Sequence, residues 1–386
     1  MKSGSGLRGP AVTARVGAAL GVAVLICFAT GLLSHLIQHP QPWFWWPTRP
    51  VWLYRLTQGL HVISGIAAIP LVVVKLWSVW PKLFERPLIG GPVRALERLS
   101  ILVLVAAILF ELSTGLLNTA QWYVFGFFFT TAHYAVAYLA IGAVVVHLGV
   151  KLPVIRQALG APLDDRALSA PSDDRALSAP SDDGRARRSG PTRRTVLIGT
   201  GLSAGLATVV TAGQTIPVLR PVSVLAPRSG EGPQGLPVNR SAIAAGVVAA
   251  ARSADYRLTV TNGERKRSFT VADLAALPQR THRLPIACVE GWSADAEWTG
   301  VVLSDLLAAV GAAPESDVRM ISLEPPGPYS RTVLPALHAR DELTLIALQV
   351  NGERLTLDHG YPCRLIAPSR PGVLQTKWLT RIDVVP

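Results

Sequence analysis

The chain has 386 residues, of which 49% are hydrophobic and only 16% charged, with a formal net charge of +12 and three cysteines. This excludes a disordered chain, which needs low hydrophobicity, and departs from ordinary soluble domains, where charged residues make up about 25%. Three cysteines exclude a disulfide framework, and the length predicts two or three domains at about 150 residues each.

A membrane-spanning helix needs about 20 largely apolar residues to cross roughly 30 Å of hydrocarbon. Five stretches qualify: Val16 to Ile37, a run from Val51 that is uncharged between Leu56 and Val74, Leu99 to about Ala120 with only Glu111 inside, Thr130 to Val150, and Thr195 to about Leu219. Basic residues cluster on alternate loops. Lys2, Arg8 and Arg15 precede the first run, Lys75, Lys82, Arg86, Arg94 and Arg98 surround the second connection, and Lys151, Arg156 and a series of arginines precede the fifth run. The intervening loops are nearly bare, so the positive-inside rule predicts a cytoplasmic N-terminus and an extracytoplasmic C-terminal region. The basicity is therefore topological, and no nucleic-acid partner is expected. The outer loops are aromatic, with Trp43, Phe44, Trp45, Trp46 and Trp52 in one and Trp122, Tyr123, Phe125, Phe127, Phe128 and Phe129 in the other. They read as interfacial belts in membrane lipid, or else as a docking surface for the outer domain.

Asp-Asp-Arg-Ala-Leu-Ser-Ala-Pro-Ser occurs at 164–172 and again at 173–181. Such a segment buries too little apolar area to offset its ordering entropy, so a flexible cytoplasmic linker is expected. Thr192-Arg193-Arg194-Thr195-Val196-Leu197 then leads into the fifth apolar run. It resembles a twin-arginine export signal placed internally, the alternative being a plain basic flank. The expected organisation is a four-helix membrane domain over 1–155, a linker over 156–192, a fifth helix over 193–219 kept as an anchor, and a separate domain over 225–386.

His35, His61, His133 and His147 lie in or beside the apolar runs, where polar residues are functional hypotheses by default. His133 and His147 are 14 residues apart, about four helical turns and ~21 Å along one helix face. That spacing resembles the haem-ligand helices of b-type cytochromes, which implies His61 and His133 as an axial pair for haem iron near the outer face. His147 has no histidine partner at its depth, and Lys75 is a weak substitute. Interhelical hydrogen bonding is the alternative role for these histidines. Glu111, Ser113 and Thr114 read as a bundle-facing polar cluster or a proton relay.

Beyond Leu225 the pattern becomes short alternating runs, at 256–260, 318–323, 345–350 and 378–384, punctuated by Asn262-Gly263 and Asn351-Gly352. These predict strands and turns. Val271 to Leu277 and Leu303 to Val310 predict short helices, the second helped by Ser304 and Asp305 at its start. Cys288 follows a strand and enters a Gly-containing turn, which predicts a presented rather than buried sulfur. No zinc-type ligand set accompanies it. As a nucleophile it would need a base, with His282, His338 and His359 as candidates; an inert thiol is the other reading. Cys27 and Cys363 read as packing residues.

The segment Cys288-Val289-Glu290-Gly291-Trp292-Ser293, followed by Trp298-Thr299-Gly300-Val301 and Leu303-Ser304-Asp305-Leu306-Leu307, resembles the oxidoreductase molybdopterin-binding domain of sulfite oxidases and of periplasmic methionine-sulfoxide-reductase catalytic subunits. His359-Gly360-Tyr361-Pro362-Cys363-Arg364-Leu365-Ile366-Ala367-Pro368, Gly372 and Lys377-Trp378-Leu379 extend the likeness, which covers about 236 to 386. The resemblance implies an α+β domain behind an all-α transmembrane four-helix bundle with a fifth anchor helix, and Mo-molybdopterin as cofactor. By motif position Cys288 is the molybdenum ligand and catalytic centre; Asn239, Ser322, His359, Arg364 and Lys377 are the cofactor contacts. Sulfite oxidases follow the metal cysteine with a small, Arg-bearing segment. Here Glu290 and Trp292 follow instead, which disfavours anionic sulfite and points to the reductase-like branch, with Trp292 and Trp298 as an apolar substrate face. The implied function is oxygen-atom transfer on the outer face, with electrons exchanged through the membrane domain with quinone or a membrane redox partner. The substrate would be a small molecule or a protein sulfoxide. The same fold working in the oxidative direction, or a cofactor-free binding module, are the alternatives.

Overall fold

The computed structural model describes residues 7–86, 91–161, 163, 191–226 and 232–385. The repeat over 164–181, Lys2 and the arginines Arg185, Arg187 and Arg188 lie outside the described residues. Four long helices come first: α1 (Pro10–Gln38), α2 (Leu53–Leu83), α3 (Pro92–Thr119) and α4 (Phe129–Gly160). All four are long and apolar enough to cross a membrane. Leu25, Val73, Leu102 and Val145 are each more than half exposed along them, as lipid-facing side chains would be.

The fifth apolar run departs from expectation. Its helix, α5 (Arg193–Val209), is 17 residues long and stops ten short of Leu219. Val209, Val210 and Thr211 are β-branched and disfavour helix; a short 3-10 turn follows at Ala212–Gln214 and Pro217 opens another. At 1.5 Å per residue α5 reaches only about 26 Å.

The residues fall into two compact units. One holds Met1–Ala29, Ile63–Asn118 and Trp122–Val209; the other holds Thr30–Val62, Thr119–Gln121 and Val210–Pro386. The C-terminal part of α1 and the N-terminal part of α2 thus group with the C-terminal region. Within the first unit, Val196 and Leu197 of α5 pack against Val12 and Val16 of α1 and Leu71 of α2. Gly17 leaves room for Lys75, whose Nζ donates to Thr13 O at 2.9 Å.

The C-terminal region builds two sheets. The first has the order β2 (Arg265–Phe269), β1 (Leu258–Asn262), β10 (Leu379–Val384), β5 (Val318–Ser322), β6 (Arg331–Leu334). It is antiparallel except for the parallel β1–β10 pair. The second sheet has the order β3 (Arg280–Ala287), β4 (Ser293–Val302), β7 (Leu345–Val350), β8 (Glu353–Arg354), with β9 (Arg364–Ile366) also on β7. The expected strands are present, and Asn351 and Gly352 both take positive φ in the β7–β8 turn, as a tight hairpin requires.

One core joins Leu258, Val260 and Ile382 of the first sheet to Val301, Ile346 and Leu365 of the second. Cys363 belongs to it, fully buried. A second core, including Leu284, Ile286, Ala296, Trp298 and Leu345, holds Cys288 and Trp292. The helix Leu303–Ala308 is preceded by Val302 without a side-chain cap; Ser304 and Asp305 sit inside its first turn. The helix Val271–Ala276 instead carries a full capping box from Thr270 and Asp273.

Candidate active site

Cys288 directly follows β3. Its N–H donates to Trp292 O at 2.8 Å, and Gly291 N–H donates to Cys288 O at 3.1 Å. Gly291 closes this turn at φ +91°, a left-handed conformation that glycine adopts without penalty. Contrary to expectation, Cys288 is only 1% exposed. The turn directs it into the second core rather than into solvent, where it lines a cleft.

Asn239, His359, Arg364 and Lys377 line the same cleft. Gly360 makes this convergence possible. A Cβ there would lie 3.1 Å from both Arg364 Cβ and Lys377 Cβ, and its φ is +107°. Arg364, at the start of β9, donates to His359 O at 3.0 Å and to Gln375 O at 3.1 Å. Lys377 Nζ donates to Asn239 Oδ1 (3.2 Å), Arg240 O (2.6 Å) and Asp358 O (2.9 Å). His359 Nε2 lies 2.6 Å from Pro233 O, so Nε2 carries the proton and Nδ1 is left as an acceptor.

Ser322 does not line the cleft. Its hydroxyl donates to Lys377 O at 2.8 Å and accepts from Glu324 N–H at 3.2 Å, so it acts on the lysine's backbone. Of the three candidate bases, only His359 lines the cleft with Cys288. His338 is buried in the helix Ala336–Ala339, and His282 sits on β3 opposite Trp298. Trp292 and Trp298 are 3% and 0% exposed. Both line the cleft; Trp298 lies on the buried face of β4, whose other face carries the exposed Glu297.

Burial pushes Arg364 down to about 9 and Lys377 down to about 7, the latter helped by Arg364 beside it. Burial also lowers His359 to about 4, against the opposing pull of the Pro233 carbonyl, so its imidazole is neutral at pH 7. Among the described residues neither Arg364 nor Lys377 has a carboxylate within ion-pairing distance, and Arg364 Nε is buried without a partner. Two desolvated cations lacking a counter-anion fit a phosphate-bearing group. A buried thiol at the other end fits a soft metal. The residues therefore fit Mo-molybdopterin.

Sequence reasoning missed Arg370. It is buried at 4% exposure, with Nη2 donating to Val333 O at 3.0 Å and Nε unpartnered. Its signal was the Ser369-Arg370-Pro371-Gly372 stretch just after the second motif.

The membrane histidines fit haem poorly. His133 Nε2 lies 3.1 Å from Glu111 Oε2, and its Nδ1 lies 2.9 Å from Thr114 Oγ1, so both ring nitrogens are engaged. His61 Nδ1 lies 3.3 Å from Thr30 Oγ1. The polar residues of this region thus pair with one another, as the hydrogen-bonding alternative expects.

Residues 245–386 match the oxidoreductase molybdopterin-binding domain family. The mitochondrial sulfite oxidase of Drosophila melanogaster is 31% identical over 156 residues, covering 34% of this chain and 27% of that protein. A protein of Azospira oryzae named "Putative protein-methionine-sulfoxide reductase subunit YedZ1" is 31% identical over 135 residues, covering 34% of this chain and 50% of its own. The crystal structure of the sulfane dehydrogenase SoxCD from Paracoccus pantotrophus matches at 28% identity over 34% of this chain and 38% of that one, with a TM-score of 0.31, too slight to bear on the fold. The chain spans between about a quarter and a half of the length of the first two relatives. The residues that match the oxidoreductase molybdopterin-binding domain, 245–386, hold the cysteine, the histidine, the arginine and the lysine of the cleft.

Proposed function

We propose that this chain is a membrane-anchored oxidoreductase that exchanges an oxygen atom with its substrate at a Cys288-ligated molybdenum centre on the outer face of a bacterial plasma membrane. The observation that carries this reading is the convergence of a buried thiol, a neutral histidine and two buried cations without carboxylate partners on one cleft. When bound, the molybdenum cofactor supplies two-electron oxygen-atom exchange. The chain's own residues do the rest. Cys288 offers a thiolate to the metal, Arg364 and Lys377 hold the cofactor's phosphate, and His359 and Asn239 contact the pterin. Ser322 fixes the backbone of Lys377.

The name of the Azospira relative supports a sulfoxide, small or protein-borne, as the oxygen-bearing substrate. The electrons are exchanged with quinone or another membrane redox partner through the apolar helices. Arg193 and Arg194, at the start of α5, suit an export route that carries domains already folded around a cofactor.

Molybdenum per chain, measured by plasma mass spectrometry on detergent-purified protein, tests the reading. Close to one metal per wild-type chain is expected, with turnover lost in Cys288→Ser. No molybdenum, from a host that makes the cofactor, overturns it and leaves a binding module on a membrane anchor.

A further inference from the structure

The loop that presents Cys288 is gripped from outside the sheets by the first turns of α2. Gln58 is 6% exposed and donates from Nε2 to Val289 O at 3.1 Å. Its Oε1 accepts from Tyr54 OH at 3.4 Å, and Tyr54 OH lies 2.9 Å from Ser34 Oγ of α1. This buried chain of hydrogen bonds orients the amide toward the residue next to the thiol. Arg55 adds a two-pronged ion pair with Asp295 of β4, at 3.1 Å and 2.6 Å, half-shielded from solvent. Gly291 completes the fit, since a Cβ there would come within 3.0 Å of Val62 Cγ2. Tyr54 also packs in one buried cluster with Ala287, the residue before Cys288.

Within the sheet domain the Cys288 N–H donates to Trp292 O. The first turns of α2 add contacts to the neighbouring carbonyl of Val289, to Gly291 and to Asp295 of the paired strand. Groups packed around a metal ligand orient it and tune the metal. We infer that Arg55 and Gln58 are positioning residues for the molybdenum thiolate, so that the outer end of a membrane helix sets the ligand geometry of the catalytic domain. This rests on the reading of Cys288 as the metal ligand.

The test uses the full-length, cofactor-loaded protein in detergent. Gln58→Leu, Arg55→Lys and Arg55→Ala are compared with wild type by molybdenum content, the Mo(V) electron paramagnetic resonance spectrum and the metal's midpoint potential. Molybdenum content near the wild-type level is expected, with shifted g-values, a displaced midpoint and turnover lowered about 10- to 100-fold. Arg55→Asp combined with Asp295→Arg is expected to restore the spectrum that either reversal alone alters. Variants that hold molybdenum and keep the wild-type spectrum and midpoint overturn the inference while leaving the function standing. A wild-type chain without molybdenum, or a Mo(V) spectrum unaltered by Cys288→Ser, overturns the function and the inference with it.

Discussion

The guanidinium of Arg364 lies over the ring of Trp298, its central carbon 5.1 Å from the ring centroid. Trp298 is fully buried, and its indole N–H donates to Leu284 O at 3.4 Å. The ring thus both lines the cleft and forms the surface on which the Arg364 guanidinium rests. Trp298→Ala removes the cation–π contact and leaves a cavity, at a cost of about 3–5 kcal/mol. A lower melting temperature and reduced molybdenum per chain are the expected readings. Unchanged metal content in a stably folded variant would show that the ring does not hold Arg364 in place.

Lys377 is neutral above about pH 7 in the empty cleft, whereas a free lysine stays charged to about pH 10.4. Between those values the unfolded chain binds the extra proton, so the empty domain gains stability as pH rises through the window. An anion in the cleft reverses the preference and returns the proton. Titration of cofactor-free protein with inorganic phosphate at pH 8, in buffers of different ionisation enthalpy, is expected to show proton uptake approaching one per site. Lys377→Ala should bind more weakly and without the uptake.

His338 is 2% exposed, and neither ring nitrogen has a hydrogen-bond partner. Burial lowers it to about 3, with Arg370 contributing. Below about pH 6.5 the unfolded chain takes up a proton that the folded chain refuses, so stability present at neutral pH is lost as pH falls toward 3. The slope is at most about 1.4 kcal/mol per pH unit for one such group. Urea midpoints between pH 4 and 7 should fall on acidification and fall less steeply in His338→Leu. His359 adds to the wild-type slope down to about pH 4.

Thr270 and Asp273 exchange hydrogen bonds at 3.0 Å and 2.8 Å around the start of the helix Val271–Ala276. The same bonds hold the Asp273 carboxyl below its ordinary range. Thr270→Ala is expected to cost about 1 kcal/mol, seen in thermal unfolding, and to leave molybdenum content unchanged. A loss of metal would mean that this helix communicates with the cleft.

Much of the catalytic domain was legible because its signals are local. Strands β5, β7 and β10 follow from alternation and from Asn-Gly turns, and Cys288, His359, Arg364 and Lys377 stand in two motifs that the fold brings to one cleft. What was illegible depends on distant partners. Alternation places Trp298 on the buried face of β4, opposite the exposed Glu297, but cannot say that Arg364 rests on its ring. Apolar runs read as lipid-facing hide Gln58 and Tyr54, whose partners lie elsewhere in the chain.

The contacts that steady the Cys288 turn join residues very far apart in the chain. Gln58 and Val289 are 231 positions apart, Arg55 and Asp295 are 240, and Trp46, whose indole N–H donates to Ser369 O at 2.8 Å, is 323 from its partner. Closing such long loops comes late, since entropy is lost before the contact rewards it. Residues 55 and 58 therefore precede their partners by more than two hundred positions, so a chain truncated ahead of residue 289 leaves Arg55 and Gln58 without these contacts.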